Sequence, residues 1–176
     1  NYDSLRKNIV VLNQDFKKYN LSFKDNIILG EQFDEKKFNS IISKLELGSL
    51  INKLKDGIET NLGNFEIGAS DLSGGEWHKI AFARILYRDS PFYIFDEPIS
   101  SYDSISEKEF VDKVNKYFKD KMCLIISHRF SIIKDCDYIY VIQDGEILQS
   151  GTHSDLKSVD GIYRKMFESQ KGLFYE

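Results

Sequence analysis

The chain has 176 residues, of which 41% are hydrophobic, so it can bury one sizeable core, and two full domains are not expected. Its formal net charge is −4 with scattered lysines, which argues against a nucleic-acid surface, and its apolar runs fall far short of the roughly 20 residues that span a bilayer. The first residues lack the basic end and apolar stretch of a secretory signal, so we expect one globular unit that stays in the cytosol.

The first predicted element is a short buried strand at residues 8–12, which read Asn-Ile-Val-Val-Leu. This strand leads into the polar residues Asn13-Gln14-Asp15. A polar loop that follows a buried strand is a natural place for chemistry, so Gln14 is a candidate site residue.

A helical region is predicted from about residue 21 to residue 88. Its first helix follows a cap at Asp34 and places apolar side chains at helical spacing, namely Phe38, Ile41, Ile42 and Leu45. Ser49 is expected to cap a second, shorter helix that runs through Leu54.

Beyond Arg88 the chain alternates between strands and helices. Strands are predicted at residues 92–95, 122–126, 138–142 and 147–149. A capping box of Ser104 and Glu107 is expected to begin a helix after the first strand, and Ile162, Met166 and Phe167 suggest a closing helix. Because the strands are apolar without alternation, they indicate a parallel sheet that is covered on both faces.

The most specific motif is Leu72-Ser73-Gly74-Gly75-Glu76, which is followed at once by a helical run. Adjacent glycines let the backbone come close to an anion, and the helix behind them directs its free N–H groups to the same point. The pattern indicates a phosphate site. By itself it also fits a glycine-rich turn that caps a helix.

Two carboxylates, Asp96 and Glu97, emerge together where the apolar strand at 92–95 ends. Ligands bind at that edge of a parallel sheet, and neighbouring strand residues point opposite ways, so one carboxylate can face a magnesium ion and the other a water. His128 follows the next strand and reaches the same edge. The alternatives are a solvated acidic turn before Pro98 and a structural histidine.

The order and spacing of these motifs resemble the nucleotide-binding domain of ATP-binding cassette (ABC) transporters across nearly the whole chain. By this resemblance Gln14 matches the glutamine loop, which contacts magnesium and water. Ser73, Gly74 and Gly75 match the signature motif, and His128 matches the switch histidine. Asp96 and Glu97 match the magnesium aspartate and the catalytic glutamate, and residues 100–103 match the D-loop, with Asp103 at the nucleotide. The resemblance therefore implies ATP and Mg²⁺ as cofactors.

The fold that the resemblance implies is α/β and P-loop NTPase-like, with a mostly parallel sheet and an α-helical signature subdomain. None of the 11 glycines is followed by lysine, so the phosphate loop is missing, together with the strands that precede it in the family. We therefore expect a single partial cassette over residues 1–176. Its parts are a glutamine-loop segment at 1–20, a helical subdomain at 21–88 and the second half of the catalytic core at 89–176. Its abrupt start favours truncation over degeneration.

The function implied by the resemblance is ATP hydrolysis that drives an exporter of peptides or drug-like molecules at the cytoplasmic face of the cell membrane. Expected partners are a second cassette and transmembrane domains, with residues 16–30 at the membrane domain and no nucleic acid. The alternatives are a soluble ABC ATPase that acts on nucleic acid or ribosomes, and a non-catalytic cassette.

Two further expectations follow for the chain by itself. Without the phosphate loop it should bind ATP weakly and not hydrolyse it. Without the phosphate-loop strand it should either close residues 122–126 directly onto residues 138–142 or pair with another copy. Trp77 is expected to serve packing, and His153 to lie in a surface turn.

Overall fold

The computed structural model of the chain describes residues 7–63, 72–99 and 104–172. The chain forms two compact units. The first contains the residues up to Asp96 together with 120–124, and the second contains residues 97–119 together with 125–176.

The sheet of the first unit is built on two parallel strands, β1 (Ile9–Asn13) and β2 (Phe92–Asp96). Their register pairs Ile9 with Phe92 at one end and Asn13 with Asp96 at the other. Strand β3 (Met122–Ile126) lies on the other side of β2, which gives the order β1-β2-β3. Every one of these strands was predicted to within one residue, and the parallel α/β class is confirmed.

The helices of the first unit are α1 (Phe23–Ile28), α2 (Glu35–Lys44), α3 (Gly48–Ile51) and α4 (Gly74–Arg88). The predicted cap at Asp34 is confirmed, because its side chain accepts a hydrogen bond from the Lys37 N–H. The predicted cap at Ser49 is wrong. Helix α3 begins after Leu47 with no side-chain cap and ends at Ile51, because a left-handed turn at Glu46 leads the chain directly into it.

The second unit contains helices around one antiparallel hairpin. Its elements are α5 (Ser104–Tyr117), α6 (Phe130–Ile133), β4 (Ile139–Gln143), β5 (Glu146–Gly151), α7 (His153–Ser158) and α8 (Ile162–Gly172). Its core is a cluster of Phe130, Ile139, Leu156 and Tyr163. Helix α8 is the predicted closing helix, whereas α7 was not foreseen.

One expectation about the strands is wrong, and of another only one of its two alternatives is ruled out. The sheet is not covered on both faces, because Met122, Leu124 and Ile126 of β3 are exposed at 70%, 44% and 47%. Residues 122–126 also do not close onto the hairpin, since within the described chain β3 and β4 belong to separate sheets. Pairing with another copy remains a prediction.

The capping box of Ser104 and Glu107 stays a prediction; helix α5 begins at Ser104, and the Glu107 carboxylate bonds Arg129 and Ser131. The expectation for His153 is corrected. His153 opens helix α7 rather than a surface turn, and its ring packs on Tyr163 and Phe167. Burial lowers the pKa of His153 below its usual 6.5, and nearby lysines act in the same direction.

Candidate active site

The second unit brings two of the predicted site residues into direct contact. The Glu97 carboxylate lies 2.8 Å from Nδ1 of His128 and also accepts the His128 backbone N–H at 3.2 Å. The Glu97 N–H donates to the carbonyl of Ile126 at 2.9 Å, which fixes Glu97 beside the end of β3. The two side chains are 29% and 53% exposed, so solvent and a ligand can reach the pair.

The backbone at Glu97 is strained. Its φ is +43°, a left-handed conformation that a residue with a Cβ rarely adopts. The next residue is Pro98, which is fully buried and anchors the turn. A left-handed non-glycine residue costs on the order of 1–3 kcal/mol, and since Leu29, Glu46, Asp89 and Asp144 adopt the same conformation, it is the contact with His128 that distinguishes Glu97.

Arg129, the residue after His128, forms a buried ion pair with Glu107. Arg129 Nη1 donates to Glu107 Oε1 at 2.7 Å, and both side chains are only 7% exposed. Ser131 donates its hydroxyl to the other carboxylate oxygen. Sequence reasoning missed this pair, because a charged residue on a helix reads as solvent-facing and its partner is 22 residues away.

The predicted magnesium ligands belong to the first unit. Asp96 is the last residue of β2 and is exposed, and it faces Asn13 across the strand pair. Gln14 follows Asn13 and is also exposed, so a carboxylate and an amide oxygen are available at one edge of the sheet. Mg²⁺ takes oxygen ligands and is usually held by one or two protein groups together with phosphates and water, so this donor set fits it. The described parts of the chain contain no group of three or more His, Cys, Asp or Glu side chains that could hold a metal ion by themselves.

The signature motif begins helix α4 with a capping box. Ser73 Oγ accepts the Glu76 N–H at 3.3 Å, and Glu76 Oε2 accepts the Ser73 N–H at 2.9 Å. These bonds from Ser73 lower the pKa of Glu76. Glu76 therefore has a structural role. Trp77, the next residue, is buried, and its predicted packing role is confirmed.

Gly74 and Gly75 have no packing reason to be glycine. A Cβ added at either position would meet nothing within 4 Å, and neither has a positive φ. Two adjacent residues without side chains, at the start of a 15-residue helix, leave the backbone open to a group from outside the chain. This fits a phosphate group. Asp103 and the rest of the predicted D-loop at 100–103 lie outside the described residues.

These features define the class of the protein as an α/β nucleotide-binding domain with a helical signature segment. The family model for ABC transporter matches residues 1–100, and the chain belongs to this family. None of its described helices is long and apolar enough to span a membrane.

Known relatives are similar over almost all of the chain. It is 38% identical to the subtilin transport ATP-binding protein SpaT of Bacillus subtilis, over 96% of the chain and 28% of that protein. It is 35% identical to the ATP-dependent lipid A-core flippase of Aliivibrio fischeri, over 96% of the chain and 29% of that protein. The structure of a bacterial Atm1-family ABC exporter with ATP bound matches with a TM-score of 0.82 and 28% identity, over 96% of the chain and 30% of that chain. The chain thus spans less than a third of the length of these relatives.

Proposed function

We propose that the chain is part of the ATP-hydrolysing domain of an ABC exporter, with Glu97 as the general base. The observation that carries this proposal is the contact of 2.8 Å between the Glu97 carboxylate and His128, at a residue with a left-handed backbone. A solvent-accessible contact between a carboxylate and a histidine places two groups that can transfer protons beside each other.

In this proposal Glu97 accepts a proton from the attacking water at a carboxylate oxygen. The His128 ring orients that carboxylate through Nδ1 and can direct its other nitrogen to the terminal phosphate. Asp96 and Gln14 would hold the magnesium ion, which when bound neutralises charge on the phosphate oxygens. The pair formed by Glu107 and Arg129 keeps the His128 segment in place.

The signature motif would bind the nucleotide that is held by a second cassette. The amides of Gly74 and Gly75 would receive phosphate oxygens of a nucleotide held by the partner, with Ser73 and Asp103 beside them. The transmembrane domains are the second proposed partner, with contacts at residues 16–30. The proposed location is the cytoplasmic face of the membrane, and the proposed cargo is a peptide or drug-like molecule.

The domain division is proposed as the sequence suggested it, with segments at 1–20, 21–88 and 89–176. Arg84 of α4 supports a close link between the first two segments, because its Nη1 donates to the Lys17 carbonyl at 3.2 Å and its guanidinium lies over the Tyr19 ring. Since the sequence contains no phosphate loop, the 176-residue chain alone is not expected to hydrolyse ATP.

The test is the variant Glu97→Gln in the full-length transporter that carries this chain. The amide keeps the shape of the carboxylate but cannot accept a proton, so hydrolysis should fall about 100-fold or more while ATP binding is kept. Glu109→Gln is the matched control, because Glu109 is an exposed carboxylate paired with Lys113 on α5. Near-normal turnover in Glu97→Gln would reassign the base, with His128 as the next candidate. A wild-type transporter that binds but never hydrolyses ATP would instead favour a non-catalytic cassette.

A further inference from the structure

The side-chain amide of Gln170, on helix α8, forms two hydrogen bonds with the backbone next to His128. Its Nε2 donates to the His128 carbonyl at 2.8 Å, and its Oε1 accepts the Phe130 N–H at 3.3 Å. The two bonds bracket Arg129, so one side chain fixes the peptide groups on both sides of that residue. Gln170 is 42 residues away from His128 along the chain and is half-buried.

Helix α8 is itself held in place by aromatic packing and by a hydrogen bond to β5. Its Tyr163 is buried, and the rings of Tyr163 and Phe167 pack against Phe130 with centroid distances of 5.0 and 5.6 Å. The Tyr163 N–H is also bonded to the Gln149 side chain at 2.9 Å, which ties the helix to β5. The packing of α8 therefore fixes the position from which Gln170 bonds the backbone next to His128.

Only a side chain with both a donor and an acceptor at the right length can make these two bonds together. Glutamine has both, glutamate is ionised and accepts only, and methionine has a similar shape with neither capacity. The segment that is held carries the ring that contacts Glu97. A shift of the His128 backbone would therefore change the Glu97–His128 contact of 2.8 Å directly.

We propose that Gln170 is a positioning residue that sets the His128 ring against Glu97, so that the docking of helix α8 controls the rate of ATP hydrolysis. This inference rests on the proposed function. Gln170 itself contacts neither nucleotide nor water in the reaction, and it acts through the backbone of His128.

The first experiment measures steady-state hydrolysis in the full-length transporter. Gln170→Met should lower kcat about tenfold or more with the KM for ATP changed less than about twofold, because binding groups are untouched and only the catalytic contact is misplaced. Glu168→Met is the matched control, since Glu168 lies on the same helix and pairs with Arg164 at an exposed position. It should leave both constants unchanged.

The second experiment measures amide hydrogen exchange by NMR in the 176-residue chain and does not depend on hydrolysis. Gln170→Met should speed exchange by about fivefold or more at Phe130, whose N–H loses its acceptor, and at His128, whose N–H is bonded to Glu97 at 3.2 Å and is released when the segment shifts. Gln170→Glu keeps the acceptor for Phe130 but loses the donor to the His128 carbonyl, so the shifted backbone should speed exchange at His128 alone.

The outcomes separate the two proposals. If Gln170→Met speeds exchange only at Phe130 and leaves His128 and kcat unchanged, Gln170 is merely structural and this inference is wrong. If Gln170→Met does not fold, Gln170→Glu decides by the same two readouts. If the wild-type transporter lacks hydrolysis, the proposed function fails, and exchange at His128 alone decides whether Gln170 positions it.

Discussion

Removal of one charge from the buried pair behind His128 should destabilise the second unit severely. In Glu107→Gln the Arg129 guanidinium keeps its charge and its 7% exposure but loses the carboxylate at 2.7 Å. Ser131 faces an amide where it donated to a carboxylate oxygen. Breaking a buried pair by removing one partner costs about 3–5 kcal/mol, and because the amide oxygen can still accept one bond we expect about 3 kcal/mol.

Two matched variants show whether the loss expected for Glu107→Gln comes from the buried charge. Glu109→Gln removes a carboxylate from the same helix, but its pair with Lys113 is 61% and 32% exposed, so the loss should be about 0.5 kcal/mol or less. The double variant Glu107→Leu with Arg129→Met removes both buried charges together. It should recover most of the loss, because no uncompensated charge remains.

The assay is urea unfolding followed by far-UV circular dichroism and by amide exchange at residues of the second unit. Fluorescence is unsuitable alone, since Trp77 is the single tryptophan and belongs to the first unit. A loss below about 1 kcal/mol in Glu107→Gln, or one equal to that of Glu109→Gln, would refute the reasoning that the pair is buried and tightly coupled.

Four further outcomes are expected. Asn26 is fully buried and its Nδ2 donates to three carbonyls at 3.0–3.1 Å, so Asn26→Leu, which removes this donor, should cost about 3 kcal/mol or more by Trp77 fluorescence in urea; a loss below about 1 kcal/mol contradicts this. Burial lowers the pKa of His153 below 6.5, so the His153 ring binds a proton more readily in the unfolded chain than in the folded one. The free energy of unfolding should therefore fall as the pH drops below 6.5, and His153→Gln should make this fall smaller. The exposed apolar strands should make the isolated chain self-associate, and lysine at Met122 or Ile142 should lower the mass found by light scattering; an unchanged mass counts against it. Gly75→Ala should raise the free energy of unfolding by about 0.5–1 kcal/mol yet impair hydrolysis by the full-length transporter, and intact turnover contradicts a phosphate role.

The strands and their order along the chain could be predicted from the sequence because short β-branched and aromatic runs bounded by polar residues leave few alternatives. The burial of those strands could not. Met122, Leu124 and Ile126 are as apolar as the buried residues of β2, and they lie exposed. An apolar pattern shows that a face is suited to burial, but it does not show whether this chain supplies the cover.

The sequence also predicts one part of the candidate site and not the other. Glu97 and His128 could be placed at one sheet edge, because residues that follow parallel strands meet there, and the structure brings them into contact. The groups that hold His128 could not be foreseen. Glu107 and Gln170 are polar residues on amphipathic helices, and only the tertiary fold turns them inward against Arg129 and the His128 carbonyl.

The glycines of the chain separate what the fold requires from what a ligand requires. Gly63 has a φ of +113°, which L side chains rarely adopt, and a Cβ there would also clash with the Asn20 side chain, so the fold itself calls for a glycine at that position. Gly74 and Gly75 have helical backbones and empty surroundings, and alanine at either would favour the helix by about 0.5–1 kcal/mol. The proposed phosphate role gives a reason for two glycines at this helix start, because a phosphate held by a second cassette could approach the backbone more closely where no Cβ is present.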